Sequence, residues 1–246
     1  MQDTVAGKNV VLNMLEAGKS INQILISSSS KRDPKISDIV HLAHINNVKF
    51  TYVTKRKLDE IAKENIHQGV IAYIPPRQYY EIEDLIEEAE LREEDPFILI
   101  LDSIEDPHNL GAIIRSAVAA GVHGVVIPER RSVQVNQTVA KVAAGAVDYC
   151  KIARVTNLTT TINWLKKKGV WVFGAAMEGE TSYLDAKFNG PVALVLGNEG
   201  KGISKLVAQS CDYLINIPMY GPVESLNVSV SAALLVFKVR EMREHG

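Results

Sequence analysis

The stretch Phe97-Ile98-Leu99-Ile100-Leu101-Asp102-Ser103-Ile104-Glu105-Asp106-Pro107-His108-Asn109-Leu110-Gly111-Ala112-Ile113-Ile114-Arg115-Ser116 reads as three pieces in succession. Five apolar residues without polar alternation mark a strand buried on both faces, as in a parallel sheet. The run 102–106, polar at four of its five positions, cannot continue that strand. Leu110, Ile113, Ile114, Ala117 and Val118 then recur at helical spacing. Asn109 carries a side chain suited to capping this helix, and a helix start beyond a strand offers amide donors to an anion. Arg115 falls off the apolar face. A strand, a polar loop and a helix in this order predict an α/β domain with its ligand at the C-terminal strand ends.

The rest of the chain repeats the alternation. Strands are predicted over 124–127, 150–154, 170–175, 192–196 and 213–217, and helices over 110–120, 158–168 and 227–243. Residues 97–246 therefore read as a doubly wound α/β domain. Residues 1–76 read as a smaller α/β/α sandwich. Val10, Val11, Met14 and Leu15 mark its first helix, ending at Gly18, and Ile36, Ile39, Val40, Ala43 and His44 mark its second. A third helix is expected over 57–63, and strands over 24–26, 49–53 and 70–74. Pro75-Pro76 stops the last of these strands. Between the two domains, 77–96 is an acidic segment whose Ile82, Leu85, Ile86 and Ala89 predict a short linker helix.

Charge follows the same division. Residues 1–76 hold 10 Lys/Arg against 7 Asp/Glu, 77–96 hold 2 against 9, and 97–246 hold 15 against 13. The net −2 thus hides two mildly basic domains, which permits contact with nucleic acid. Lys55-Arg56-Lys57 reads equally as an RNA contact or as a solvated turn. The chain has no apolar run of the roughly 20 residues that cross a bilayer. It also lacks a basic start followed by an apolar stretch, so a cytoplasmic location and no membrane partner are expected. Cys150 and Cys211 stand alone in apolar surroundings, so neither a disulfide framework nor a metal site is expected.

Two further loops follow predicted strands. Gly197-Asn198-Glu199-Gly200-Lys201-Gly202-Ile203-Ser204 has three glycines in six positions, which let a backbone approach a ligand closely. GxxxxGK[ST] spacing is absent. Lys205 stands where a dinucleotide fingerprint would have its third glycine. Taken alone, the loop is as readily a plain turn. Ile217-Pro218-Met219-Tyr220-Gly221-Pro222-Val223-Glu224-Ser225-Leu226-Asn227-Val228-Ser229 follows a stiff, irregular path, and Ser225 or Asn227 caps the last helix. That helix opens on Ser229, Ser231, Ala232 and Ala233, small residues that invite close packing.

Together these loops resemble the three motifs of the SpoU/TrmH family of SPOUT methyltransferases, in the same order and spacing. The matching segments are Asp106-Pro107-His108-Asn109-Leu110-Gly111 with Arg115-Ser116, Gly197-Asn198-Glu199-Gly200-Lys201-Gly202, and Ile217-Pro218-Met219 with Ser225-Leu226-Asn227-Val228-Ser229. At the front, Gly7-Lys8-Asn9-Val10-Val11 and His67-Gln68-Gly69-Val70 resemble the family's substrate-binding domain. The resemblance is closest to the RlmB-type enzymes, which methylate a guanosine 2'-hydroxyl of 23S ribosomal RNA. Asn198 departs from the commoner alanine, and residues 220–224 are bulkier than usual.

The resemblance implies a C-terminal parallel-sheet methyltransferase domain tied in a trefoil knot, preceded by a small RNA-binding domain. It implies S-adenosyl-L-methionine as co-substrate, held by backbone groups around Gly197, Ile217, Met219 and Leu226. It implies a homodimer acting on RNA. Arg115 takes the central catalytic role, with Asn109, Glu199, Ser225 and Asn227 positioning the nucleotide. A guanidinium is not deprotonated in proteins, so Arg115 is read as stabilising the oxyanion and phosphate, not as a base. His108 is a second candidate base, though a structural loop histidine reads as well. Other readings stay open: a transfer-RNA methyltransferase, a nucleotide-dependent oxidoreductase or synthetase, and a non-catalytic RNA-binding protein.

Overall fold

The computed structural model describes residues 3–62, 66–75 and 78–245. The chain divides into two compact units, Met1–Gln78 and Tyr79–Gly246. In the first, β1 (Asp3–Ala6), α1 (Lys8–Glu16), β2 (Gln23–Ser27), α2 (Pro34–Ile45), β3 (Lys49–Val53), α3 (Lys55–Ala62) and β4 (Val70–Ile74) follow one another. The sheet order is β1-β4-β2-β3, with β2 and β3 parallel and the other pairs antiparallel. Side chains alternate across each strand. Ile24, Ile26, Val70 and Ala72 therefore meet Val11, Leu15, Ile36 and Ile39 of α1 and α2, while Leu25 and Ile71 meet Leu58 and Ala62 of α3.

This is the expected α/β/α sandwich with one strand more, since β1 is too short to give a periodic signal. Val10 does not join the core: α1 turns only Val11 and Leu15 fully inward, and Val10 is 47% exposed. Lys63, the expected end of the third helix, and Pro76, part of the expected strand stop, lie outside the described residues.

The second unit contains α4 (Ile82–Leu91), β5 (Phe97–Leu101), α5 (Pro107–Ala119), β6 (Gly124–Pro128), α6 (Gln137–Val142), β7 (Lys151–Val155), α7 (Leu158–Lys167), β8 (Trp171–Ala175), β9 (Thr181–Ser182), β10 (Val192–Leu196), α8 (Lys205–Ser210), β11 (Tyr213–Asn216) and α9 (Val228–His245). Its sheet runs β7-β6-β5-β10-β8-β11-β9, and every neighbouring pair is parallel. Phe97, Leu99, Leu101, Val192, Leu194 and Leu196 face one way, into a core shared with α5, α6 and α9. Ile98, Ile100, Ala193 and Val195 face the other, with α4 and α7. Both faces being covered explains why β5 and β10 carry no polar residue.

The acidic segment expected as a linker forms α4, closed at its start by a reciprocal Glu81–Asp84 capping box. This helix packs on the second unit's sheet. Leu85 and Ala89 are fully buried, Leu85 lies directly over Gly124 of β6, and Glu88 pairs with Lys151 of β7 at 2.9 Å. At the far end of the unit, the Arg243 guanidinium on α9 donates to the carbonyls of Asp95, Pro96 and Gly190 at 2.8–3.0 Å and lies over the Phe97 ring. No helix among the described residues is long and apolar enough to cross a membrane. Cys150 and Cys211 form no disulfide among the described residues, and burial pushes the Cys211 thiol up to about 12, with Asp212 adding to the shift.

Candidate active site

Three loops leave the C-terminal ends of β5, β10 and β11. Those strands are parallel members of one sheet, so the loops emerge along one edge. The first turns at Asp102, whose carboxylate is buried. It accepts the Ser204 amide of the second loop at 2.8 Å and the Ser103 hydroxyl at 3.0 Å, while its own amide donates to Leu196 at 2.8 Å. Sequence reasoning passed over Asp102. The available signal was an acid set directly against an apolar run, since a buried carboxylate must find donors.

Asn198 adds a second brace. Its side-chain amide donates to the Ser103 carbonyl at 3.1 Å, and its oxygen accepts the Gly200 amide at 3.0 Å. The departure from the family pattern at this position thus has a structural role that alanine could not fill. The second loop also closes on itself through paired Asn198–Gly202 backbone bonds of 3.0 and 2.7 Å.

The helix start differs from expectation. Asp106 caps α5, accepting the His108 amide at 2.9 Å, and Pro107 occupies the first turn, where its missing N–H costs nothing. Asn109 lies inside the helix, and its side chain is left for another purpose: Oδ1 accepts Nδ2 of Asn227 at 3.0 Å. Asn227, not Ser225, caps α9, its Oδ1 accepting the Ser229 amide at 2.9 Å. That role fixes which end of the Asn227 amide is the donor. Nδ2 accordingly faces two acceptors, Asn109 and, at 3.4 Å, the Glu199 carboxylate. One capping residue joins all three loops.

Arg115 and Ser225 stay outside this trio. Both are exposed, and among the described residues neither side chain has a hydrogen-bond or ion-pair partner. Arg115 lies six residues beyond Asn109 on α5, about 9 Å along the axis and on a different flank. It stands one turn before Ala119, which lines a surface cleft together with Phe237 of α9. His108 is also exposed, and no side-chain partner turns it into a base.

Gly197 is buried, and Ile217, Met219 and Leu226 are half-buried. Among the described residues the backbone N–H groups of these four make no hydrogen bond. Buried or half-buried amides of this kind call for an acceptor. Arg130 and Arg131, beyond the C-terminal end of β6, are exposed and without ion-pair partners among the described residues. The sequence reading did not single them out.

A parallel α/β unit with its polar trio and its free amides at the strand ends, preceded in sequence by a smaller sandwich unit, defines a class: a two-domain α/β protein whose ligand site is sought at the strand ends. The particular family follows from comparison. The profile of the SpoU rRNA Methylase family matches residues 96–237, and that of RNA 2'-O ribose methyltransferase substrate binding matches residues 4–80. YacO of Bacillus subtilis, whose name places it among TrmH family tRNA/rRNA methyltransferases, is 42% identical over 241 residues, covering 98% of this chain and 96% of its own.

Solved structures share the fold, two of them with the cofactor bound. One is the SpoU methyltransferase AviRb of Streptomyces viridochromogenes in complex with AdoMet, with a TM-score of 0.77 at 21% identity, covering 100% of this chain and 91% of that one. The other is an AdoMet-bound rRNA methyltransferase of Sinorhizobium meliloti, with a TM-score of 0.72 at 23% identity, covering 98% and 87%. The chain belongs to the SpoU/TrmH family of RNA methyltransferases.

Proposed function

We propose that the protein transfers a methyl group from S-adenosyl-L-methionine to a ribose 2'-hydroxyl of structured RNA in the cytoplasm, with a guanosine of 23S ribosomal RNA as target. The observation that carries this reading is the Asn109–Asn227–Glu199 trio at the sheet edge, with an unpartnered arginine on the same helix as Asn109. The free amides of Gly197, Ile217, Met219 and Leu226, flanked by half-buried apolar side chains, fit a cofactor that is read through its heteroatoms and lies on an apolar floor. When bound, S-adenosyl-L-methionine supplies an activated methyl group on a sulfonium.

The protein's own part is placement and charge. A 2'-hydroxyl is a weak nucleophile, and its oxygen gains negative charge as it attacks. Arg115 offers that oxygen and the adjoining phosphate a permanent cation with several donors. Asn109, Glu199, Ser225 and Asn227 orient the nucleotide. Arg130 and Arg131 extend the positive edge along the RNA backbone.

We also assign a homodimer, and a trefoil knot in the last segment. Val230, Leu234 and Phe237 form an exposed apolar stripe along α9, which a second copy would cover. Arg115 stands one turn before Ala119, which lines the same cleft as Phe237, so a copy seated on that stripe would lie close to it. The insertion of β10 and β11 between strands laid down earlier supports a threaded path.

Arg115→Ala tests the reading. Single-turnover methyl transfer to ribosomal and transfer RNA should slow about 100- to 1000-fold, as when one preorganised oxyanion donor is removed. Affinity for S-adenosylhomocysteine should hold. Arg115→Lys should recover only part of the rate, because the planar fork is lost. A near-normal rate in Arg115→Ala ends the assignment. A wild-type protein that binds NAD or ATP, but not S-adenosylhomocysteine, ends the whole reading.

A further inference from the structure

We propose that the first unit carries its own pocket for one unpaired nucleotide of the RNA, a refinement that rests on RNA being the substrate. β2 and β3 run parallel, β4 runs against them, and β1 runs against β4. The segments after β1, β2 and β3 and the segment before β4 therefore meet at one end of the sheet. A cleft of about 500 Å³ opens there, lined by Ser27, Ser29, Ser30, Lys55, His67 and Gln68 among others. That size suits a small ligand and excludes a paired helix.

The cleft is built in advance of any ligand. His67 is buried; its Nδ1 accepts the Gly69 amide at 2.9 Å, so Nε2 bears the proton and donates to Asp59 at 2.8 Å. A Cβ on Gly69 would lie 2.3 Å from the Ser30 hydroxyl, and its φ of +87° also requires glycine, so the loop closes on the serines only with glycine here. Ser27 and Ser29 share a 2.8 Å hydroxyl contact, and Gln68 accepts the Lys8 amide. All four connections contribute.

Its chemistry points to a nucleotide. Three serine hydroxyls and the Lys55 ammonium are suited to a ribose and its phosphate. Lys31 and Arg32 on the connection after β2, and Lys55 and Lys57 in the first turn of α3, have no carboxylate partner among the described residues, whereas Asp33 pairs with Lys8 and Asp59 with His67. Ile66, 82% exposed and at the same cleft, gives an apolar surface for the face of a base. Protein reads RNA sequence in unpaired segments, where bases can leave the stack and enter such pockets.

The test uses the full chain and a fluorescein-labelled stem-loop RNA, compared with the same strand annealed to its full complement. Anisotropy should show the stem-loop bound about tenfold more tightly than the duplex, within the range one stacked base supplies. Ser29→Trp, which fills the cleft, should abolish that preference. Lys55→Ala should weaken binding severalfold and flatten the dependence of log K on log salt by about 0.7–0.9. S-adenosylhomocysteine affinity should stay unchanged in both variants.

Should Ser29→Trp disturb the fold, 4-thiouridine placed in the loop supplies a separate readout: crosslinks in wild type should map to the peptide holding Ile66 to Gln68. Equal affinity for stem-loop and duplex, a preference that survives in a folded Ser29→Trp protein, or crosslinks confined to other peptides overturns the pocket alone. A wild type that binds S-adenosylhomocysteine but neither RNA overturns the pocket and the RNA reading together.

Discussion

A Cβ on Gly197 would sit 2.0–2.2 Å from backbone atoms of Gly202 and Ile203, where no side-chain rotation gives relief. Gly202 has open space around it but a φ of +64°, so there the torsion is the obstacle. Gly200 has neither constraint: its nearest neighbour would be the Asn198 side chain at 3.8 Å. The sequence shows three equivalent glycines, and only the path of the loop tells them apart. Gly197→Ala should therefore destabilise the second unit by about 1–3 kcal/mol, the usual effect of overpacking. Gly200→Ala should stay within about 0.5 kcal/mol. Urea unfolding of both variants checks the contrast, and equal losses would refute it. If Gly200→Ala keeps its stability but loses turnover, Gly200 is where the ligand comes closest. Asn109 shows the same limit from the other side. Its type suits a cap, but the preceding Asp106-Pro107 takes that role and frees Asn109 for Asn227.

At the scale of elements, the long apolar strands and helices were legible because their periodicity comes from burial on known faces. β5, β10 and the first unit's β3 and β4 have the expected bounds, and other major elements shift by one to three residues. β1, β9, α6 and α8 were missed. Each has six residues or fewer, and the contacts that hold it are distant in sequence. His123 illustrates such a contact. Fully buried just before β6, it accepts the Phe97 amide on Nδ1 at 2.9 Å and so fastens the start of β5. Burial, then the nearby Arg92 charge, holds its pKa below the ordinary histidine value despite the opposing pull of Glu94.

The unfolded chain then takes up this proton first. Stability is full above about pH 6.5 and falls as the pH drops from there towards the lowered folded value, at most by about 1.4 kcal/mol per pH unit. Glu88 separates cleanly, because Lys151 and Arg92 lower its pKa and its contribution is lost only at more acid pH. His123→Asn can keep the acceptor without titrating. Denaturant midpoints measured from pH 5 to 7 should slope more steeply for wild type than for the variant. Parallel slopes would remove His123 from the account.

For the whole molecule, the two-unit plan was readable from composition and from the break near Pro75. The packing of α4 was not. Its sequence offers a narrow apolar stripe and many carboxylates, and nothing local says that Leu85 seats on Gly124 of a strand some 40 residues on. We predict that a fragment starting at Gln78 retains cofactor affinity and a cooperative melt, with RNA affinity and turnover largely lost. A fragment starting near Arg92 should melt lower, because Leu85 and Ala89 no longer cover the sheet. A Leu→Ala change at such a site costs about 2–5 kcal/mol, and loss of the helix should cost no less. Calorimetry on the two fragments decides, and identical melting temperatures would show that α4 adds nothing. Full turnover in the Gln78 fragment would deny the first unit its role in RNA binding.

The strand order also has a consequence in time. β10 is the bridge between β5 and β8, yet it leaves the ribosome only after β5, β6, β7, β8 and β9 have all emerged. Until Val192–Leu196 is made, β5 and β8 each present an open edge with apolar flanks, the kind of surface that recruits stray strands. Pairings between segments far apart in sequence also form slowly. Newborn chains should therefore pass through a period of vulnerability set by the rate of synthesis between residues 175 and 196. Chaperones that shield apolar edges have their natural opportunity in that interval, well before the site has a second loop to build on.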